Sequence, residues 1–182
     1  TSDTPLVESE KESPLTPYGV SRLAISSTLM MLARTQKLPI KILRVFLPYG
    51  PFQQRNKIIP YIINNILMKN EIRLSEGNQK KDFCYISDIT NAISKVLHSN
   101  NKGYGIYNVA SGTPITIKEL TTKIISLMGE GEPLFGTQDY KNQVIDNQYA
   151  NISKFRDEFK WSPEVTLEEG IAIMIEFYKK KF

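Results

Sequence analysis

One tyrosine and one arginine have the side-chain types and the spacing that proton transfer requires. Tyr18 and Arg22 are four residues apart, so on a helix both side chains lie on the same face. A free phenol is a poor base at neutral pH, and a fixed positive charge beside it favours the phenolate. The pair therefore predicts a general base that takes a proton from a substrate hydroxyl. Ordinary amphipathic helices often have the same spacing, and that alternative stays open at this point.

Helices and strands alternate in the predicted structure, which indicates an α/β or α+β fold. Residues 1–15 are polar and are predicted to form a loop. A helix over 18–36 carries the tyrosine and the arginine, and Pro17 suits its first turn. Residues 40–46 alternate in polarity and are rich in β-branched side chains, which predicts a strand that ends at the Pro-Tyr-Gly-Pro sequence of 48–51.

The rest of the chain continues the alternation of helices and strands. The predicted elements are helices at 58–68, 88–97, 116–128 and from 166 onward, and strands at 72–74, 83–86 and 106–109. Thr116 and Thr166 each precede a glutamate by three residues, which is the spacing of a capping box. Asp88 is predicted to lie near the N-cap of its helix.

The composition is that of an ordinary globular protein. Of the 182 residues, 41% are hydrophobic and 23% are charged. The net charge of +4 is spread without a long basic run, so the sequence favours a phosphorylated small molecule over nucleic acid. No apolar run approaches the roughly 20 residues of a spanning helix, and no membrane partner is expected. The chain opens without Met or signal-peptide features, and we expect it to be a fragment.

Cysteine and histidine are too rare for a metal site. The single cysteine, Cys84, has no partner for an internal disulfide, which predicts a reducing compartment and a cytoplasmic location. Cys84 lies between two aromatic residues, so we expect a buried, inert thiol. His98 follows a predicted helix and is expected at the surface or as a cap. No zinc-type cluster occurs in the sequence, and no metal is expected.

The residues around the tyrosine resemble a known family. The stretch Pro17-Tyr18-Gly19-Val20-Ser21-Arg22 resembles the Tyr-x-x-x-Lys motif of the extended short-chain dehydrogenase/reductases, which include NAD-dependent nucleotide-sugar epimerases and dehydratases. Further motifs follow in the family's order. They are a Leu-Arg…Tyr-Gly-Pro segment at 43–51, a Gly-x-x-x-Arg-Asp-Phe-like block at 77–88, a Tyr-Asn turn at 107–112 and a closing pattern at 152–171. Each motif alone is weak, but the ordered series is specific.

The resemblance implies an α/β fold in which only the C-terminal part of the family is present. This part consists of the C-terminal portion of a Rossmann-type domain plus the smaller α+β nucleotide-sugar-binding domain. Residues 1–47 would be the remnant of the dinucleotide-binding domain, and 48–182 the nucleotide-sugar-binding domain. An alternative returns about 82–111 to the Rossmann sheet. The family also implies a homodimer, with an interface near 29–33.

Site residues follow from the same resemblance. The catalytic pair would be Tyr18, as acid/base, and Arg22. Both would also contact NAD or NADP, Arg22 at the nicotinamide ribose. Cofactor contacts are further implied for Val45, Phe46 and Pro48. Contacts with a nucleotide-diphosphate sugar are implied for Leu47, Tyr49, Asn56 and Lys81. Purely structural roles are expected for Asp82, Asp88 and Asn108, with Asn108 in a turn.

The sequence also departs from the family pattern. The glycine-rich Rossmann fingerprint does not occur among these 182 residues. Arg22 replaces the usual lysine, Leu47 an asparagine, and Lys81 an arginine, which removes bidentate geometry from the phosphate contact.

The activity implied is that of an NAD(P)-dependent epimerase, dehydratase or 4-keto reductase in surface-polysaccharide precursor synthesis, with Tyr18 moving the proton at the sugar C4 oxygen. The fragment itself is expected to be inactive, because hydride transfer needs the half that docks the cofactor. The alternative is a non-catalytic member that binds a nucleotide or a protein.

Overall fold

The computed structural model describes residues 4–138 and 147–181. Within these ranges the helices are α1 (Pro17–Thr35), α2 (Ile58–Leu67), α3 (Ile86–Leu97), α4 (Ile117–Met128), α5 (Ser153–Phe159) and α6 (Leu167–Lys179). The strands in the same ranges are β1 (Lys41–Val45), β2 (Leu47–Tyr49), β3 (Ile72–Arg73), β4 (Lys80–Lys81), β5 (Phe83–Tyr85), β6 (Gly105–Val109), β7 (Ile115–Thr116) and β8 (Pro133–Leu134).

Parallel strand pairs form the sheet structure nearest the predicted site. β1 pairs with β6 from Lys41 opposite Gly105 to Val45 opposite Val109. β2 follows β1 after one residue and pairs with β5 in parallel. Parallel strands joined through α3 confirm the α/β fold class. The domain division, including the alternative that returns about 82–111 to the Rossmann sheet, stays a prediction.

Two apolar clusters form the core. The larger one joins α2, α4 and α6 around β5, and its fully buried members include Ile62, Ile63, Leu120, Ile124, Ile171 and Met174. The smaller one packs α3 and α5 against β6 and includes Cys84, Ala92, Val109, Phe155 and Trp161. The buried members of both clusters follow β1 in the sequence. No helix within 4–138 or 147–181 has the length and apolarity needed to cross a membrane.

Most predicted elements are confirmed, with boundaries that shift by one or two residues. Both capping boxes are present, at Thr116 with Glu119 and at Thr166 with Glu169. The predicted break at 48–51 is wrong at its start, because β2 uses Pro48 and Tyr49 in a ladder with β5. The short strands β4, β7 and β8 and the seven-residue helix α5 were not predicted. Two-residue strands are held by their partners, so they leave no periodic pattern in the sequence.

Two structural residues lie in positions that differ from the prediction. α3 begins at Ile86 and has Tyr85 as its N-cap, so Asp88 sits inside the first turn rather than capping it. Asn108 was predicted in a turn, and this was wrong because it lies within β6. Its side chain donates to the carbonyl oxygens of Leu6 and Asn151, at 2.9 and 3.3 Å. Asn108 therefore joins the N-terminal loop to the segment that leads into α5.

Candidate active site

The first turns of α1 bring the tyrosine and the arginine together. The guanidinium carbon of Arg22 lies 4.9 Å from the centre of the Tyr18 ring, which is cation–π geometry. Both residues are exposed, and Tyr18 has 68% of its surface accessible. The predicted sharing of one helix face is confirmed. The phenol and the guanidinium thus lie side by side on an open surface, where both can donate hydrogen bonds to a ligand.

The residues before Tyr18 fix the start of this helix. Thr16 is the N-cap, and its side-chain oxygen accepts a hydrogen bond from the backbone N–H of Gly19 at 3.1 Å. A β-carbon on Gly19 would lie 3.0 Å from Cβ of Pro14, so glycine lets the preceding loop approach the helix closely. Thr16 was not predicted as the N-cap. A threonine followed by proline is typical of a helix start and could have indicated it.

The loop before α1 is tied to the parallel strands. Arg44 of β1 donates to the carbonyl oxygen of Glu8 at 3.2 Å and forms an ion pair with Glu12. The carboxylate of Glu8 accepts a hydrogen bond from the backbone N–H of Asn108 in β6 at 2.9 Å. These contacts set the approach of the chain to α1 from the adjacent strands. No local pattern predicts these contacts, because their partners are 32 to 100 residues apart.

The residues predicted beside the nicotinamide lie at the carboxyl end of β1. Val45 and Pro48 are exposed, and Phe46 is half-buried with its backbone N–H donating to Val109 at 3.0 Å. In open α/β sheets, cofactors bind at the carboxyl ends of parallel strands. The predicted contacts of Val45, Phe46 and Pro48 with the nicotinamide stay predictions.

The residues predicted to bind the sugar nucleotide occupy three different environments. Leu47 is half-buried at the start of β2, and Asn56 is exposed in the segment before α2. Tyr49 is only 3% exposed and packs against Phe83 and Tyr85. Burial raises the pKa of Tyr49 above its ordinary value. Tyr49 therefore anchors this segment in the core, and its predicted contact with a substrate stays untested.

Lys81 is buried where several segments meet. Lys81 is 6% exposed. Its strand, β4, pairs with β7, and Lys81 also forms an isolated β-bridge with Gln148. Most of the Lys81 residue is therefore covered by neighbouring segments. Its predicted contact with the diphosphate stays a prediction.

A fully buried carboxylate fixes the strand next to Lys81. Asp82 accepts hydrogen bonds from the backbone N–H and the hydroxyl of Ser111, at 2.8 and 2.6 Å, and from the N–H of Gly112 at 3.1 Å. The N–H of Ala150 lies 3.4 Å from the same carboxylate. These bonds hold together three stretches of chain that are distant in sequence. The predicted structural role of Asp82 is confirmed.

A second buried carboxylate joins α3 to the approach of α6. Asp88 accepts from the backbone N–H groups of Glu164 and Val165, at 3.0 and 3.2 Å. The indole N–H of Trp161 donates to the Asp88 carbonyl oxygen at 3.2 Å. The expectation that Asp88 serves the fold is therefore confirmed, and its hydrogen bonds account for the Trp-Ser-Pro motif that follows α5.

Cys84 and His98 have the roles expected of them. Cys84 is fully buried, and burial raises the pKa of its thiol to about 12, so the thiol is an unreactive part of the core. His98 is the exposed C-cap of α3, with Nδ1 2.9 Å from the Ser94 carbonyl oxygen. Across the described parts of the chain, His, Cys, Asp and Glu side chains form no group of three or more that could hold a metal ion.

Comparison with known proteins identifies the family. The model of the NAD dependent epimerase/dehydratase family matches residues 2–110. The chain belongs to this family. The mouse dTDP-D-glucose 4,6-dehydratase is 28% identical to this epimerase/dehydratase family member in an alignment over 181 residues. The alignment covers 96% of this chain and 51% of the mouse protein. The chain spans about half the length of the curated relatives that it matches.

Solved structures agree with this epimerase/dehydratase assignment. The dTDP-glucose 4,6-dehydratase of Bacillus anthracis, in complex with NAD, is 27% identical with a TM-score of 0.89 and covers 99% of this chain and 58% of its own. The UDP-N-acetylglucosamine 4-epimerase of Methanobrevibacter ruminantium, in complex with UDP-N-acetylmuramic acid, is 26% identical with a TM-score of 0.91 and covers 100% and 59%. The resemblance to extended short-chain dehydrogenase/reductases is confirmed, and NAD is the cofactor of the family.

Proposed function

We propose that the complete protein is an NAD(P)-dependent nucleotide-sugar epimerase, dehydratase or 4-keto reductase with Tyr18 as its acid/base. The observation that carries the proposal is the Tyr18–Arg22 pair on the open face of α1. Tyr18 would remove or return the proton at the sugar C4 oxygen. NAD, when bound, supplies the hydride acceptor and donor for this chemistry.

Arg22 would serve both the tyrosine and the cofactor. Its guanidinium lies over the Tyr18 ring, so it would keep a positive charge beside the phenol during proton removal. Its remaining N–H groups can donate to the ribose hydroxyls in place of the family's lysine. Val45 and Pro48, exposed at the end of β1 and in β2, would cover the nicotinamide face.

On the substrate side, a dTDP- or UDP-sugar is the ligand that the relatives suggest. The mouse and B. anthracis relatives are named for dTDP-glucose, and the M. ruminantium enzyme for UDP-N-acetylglucosamine. Leu47 and Asn56 lie before and after the Tyr-Gly-Pro turn, where they would contact the sugar nucleotide. Lys81 would approach the diphosphate as a point charge.

The test incubates the complete protein with NAD(P) and a panel of UDP-, dTDP-, CDP- and GDP-sugars, with products followed by NMR. We expect conversion of one sugar and at least a ~100-fold lower rate in Tyr18→Phe. Tyr104→Phe is the matched control, because Tyr104 is an exposed tyrosine distant in sequence from α1, and it should keep the rate. Near-normal turnover in Tyr18→Phe would contradict the proposal.

The second candidate is a non-catalytic member that binds a nucleotide or a protein. Arg22, Leu47 and Lys81 each replace the usual family residue, and these replacements support this alternative. It predicts that calorimetry detects binding of a UDP- or dTDP-sugar while no panel member is converted. Conversion of any sugar that is lost in Tyr18→Phe would exclude it.

Further expectations depend on the whole protein. The segment of 182 residues alone should be inactive, because it contains no glycine-rich loop for the dinucleotide phosphates. A homodimer would use α1, whose Val20, Ile25 and Met31 are exposed, and light scattering on the complete protein would measure its mass. A cytoplasmic location and a role in polysaccharide precursor synthesis also remain proposals.

A further inference from the structure

The segment between β2 and α2 carries one of the predicted substrate contacts but has little structure of its own. Residues 50–57 contain turns, with backbone bonds from Gln53 to Gly50 at 3.3 Å and from Lys57 to Gln54 at 3.0 Å. The side chain of Gln53 donates to the Pro48 carbonyl oxygen at 2.7 Å. The position of Asn56 therefore depends on contacts that this segment makes with other elements.

The last turns of α6 supply a hydrogen bond to this segment. Tyr178 is buried, and its hydroxyl donates to the carbonyl oxygen of Gln53 at 2.7 Å. Burial raises the pKa of Tyr178, and the positive charge of Arg55 acts in the opposite direction. One side chain of α6 thus contacts the backbone of the segment directly.

An aromatic and cationic cluster forms the second contact. Phe52 has φ of +66° and is 79% exposed, a left-handed conformation that a bulky residue adopts only when its surroundings hold it. Its ring centre lies 4.7 Å from that of Phe177. The ammonium of Lys181 lies 4.7 Å from the Phe52 ring centre and 4.4 Å from that of Phe177. The end of α6 thus holds the strained residue from one side.

The beginning of α6 contacts the strand that leads into the segment. A β-carbon on Gly170 would overlap the hydroxyl of Tyr49, so α6 and β2 approach as closely as a glycine permits. Gly170 lies in the first turn of α6, and Phe177, Tyr178 and Lys181 lie at or beyond its last turn. The helix and the residues that follow it therefore contact the chain from Tyr49 to Gln53.

We infer that Phe177, Tyr178 and Lys181 are positioning residues that hold segment 50–57 in its ligand-binding arrangement. As positioning residues they act on the ligand only through this segment, by contact with the ring of Phe52 and the backbone carbonyl of Gln53. The inference rests on the proposed function for its ligand, a nucleotide sugar. It predicts that loosening the end of α6 weakens nucleotide-sugar binding through the disorder of this segment, with little change in the chemical step.

Tyr178→Phe tests the inference because it removes one hydroxyl and keeps the ring. Tyr61→Phe is the matched control, since the Tyr61 hydroxyl donates to the Arg73 carbonyl oxygen at 3.1 Å, away from the segment. Loss of one neutral hydrogen bond should speed amide hydrogen exchange in 50–57 about fivefold. Lys181→Met, an exposed substitution that leaves the core intact, should speed it about threefold.

The same variants are measured for KM and kcat with the sugar found in the panel. We expect KM to rise about fivefold in Tyr178→Phe with kcat nearly unchanged, and Tyr61→Phe to match the wild type in every measurement. Unchanged exchange in 50–57, or faster exchange without a change in KM, would overturn the inference. If the wild-type protein binds no nucleotide sugar, the proposed function fails. Hydrogen exchange in 50–57 then still tests whether Tyr178 and Lys181 hold the segment. The claim that the segment is held for a nucleotide sugar fails together with the proposed function.

Discussion

Helix α1 and strand β5 differ sharply in how the protein holds them. Of the 19 residues of α1, all within the described ranges, Ala33 alone is buried. All three residues of β5 are buried, and Asp82, immediately before it, is bound by backbone N–H groups from two other segments. The residues proposed for proton transfer therefore lie on the least packed of the described helices. Asp82 and β5, which follow Lys81 directly in the sequence, form a buried frame held by hydrogen bonds.

This difference separates two kinds of substitution. A change on the exposed face of α1 should alter the reaction and leave the free energy of unfolding nearly constant. A change in the frame around β5 should lower the free energy of unfolding first, and activity only as a consequence.

The largest expected loss of stability comes from Asp82→Ala. The substitution leaves the N–H groups of Ser111 and Gly112 without their carboxylate, and we expect the free energy of unfolding to fall by about 4 kcal/mol. Urea denaturation of the complete protein measures it. Asp157→Ala is the control, because this carboxylate is 69% exposed beside Arg156, and it should cost less than ~0.5 kcal/mol. Equal losses would show that the frame does not depend on the buried carboxylate.

Gly170→Ala should have the next largest effect. The added methyl group would overlap the Tyr49 hydroxyl, and overpacking of this kind costs about 2 kcal/mol. Removing the hydroxyl with Tyr49→Phe should recover part of the loss in the double variant, as measured by thermal unfolding. Additive effects of the two substitutions would argue against the close contact between α6 and β2.

The helix N-caps provide a smaller and more discriminating comparison. Thr116 caps α4, which has four buried residues, and Thr16 caps α1. Thr116→Ala should lower global stability by about 1 kcal/mol. Thr16→Ala should instead fray the first turn of α1, seen as faster hydrogen exchange there, with a smaller shift of the urea midpoint. Equal shifts in the midpoint would mean that α1 is as tightly coupled to the core as α4.

The sequence predicted the elements with a strong periodic or capping signal. α1, α2, β1 and both Thr-x-x-Glu helices were found because their patterns are local. The position of Asn108 within β6 and the strands β4 and β7 could not be predicted, since these are defined by partners such as Leu6 and Gln148 that lie far along the chain.

The candidate site was predicted unevenly for the same reason. Tyr18 and Arg22 share a face because helical spacing is a local property. The burial of Tyr49 and Lys81 depends on α6 and on β7, which no nearby residue indicates. Tyr178 and Gln53 are 125 residues apart in the sequence, so no local pattern could reveal their hydrogen bond.

The most direct test of the proposed division is Tyr18→Phe in the complete protein, with turnover and urea unfolding measured on the same sample. We predict that kcat for the converted nucleotide sugar falls at least ~100-fold, while the unfolding midpoint matches that of the wild type. Turnover close to the wild-type rate, or a loss of stability as large as that of Asp82→Ala, would contradict the assignment of proton transfer to the open face of α1.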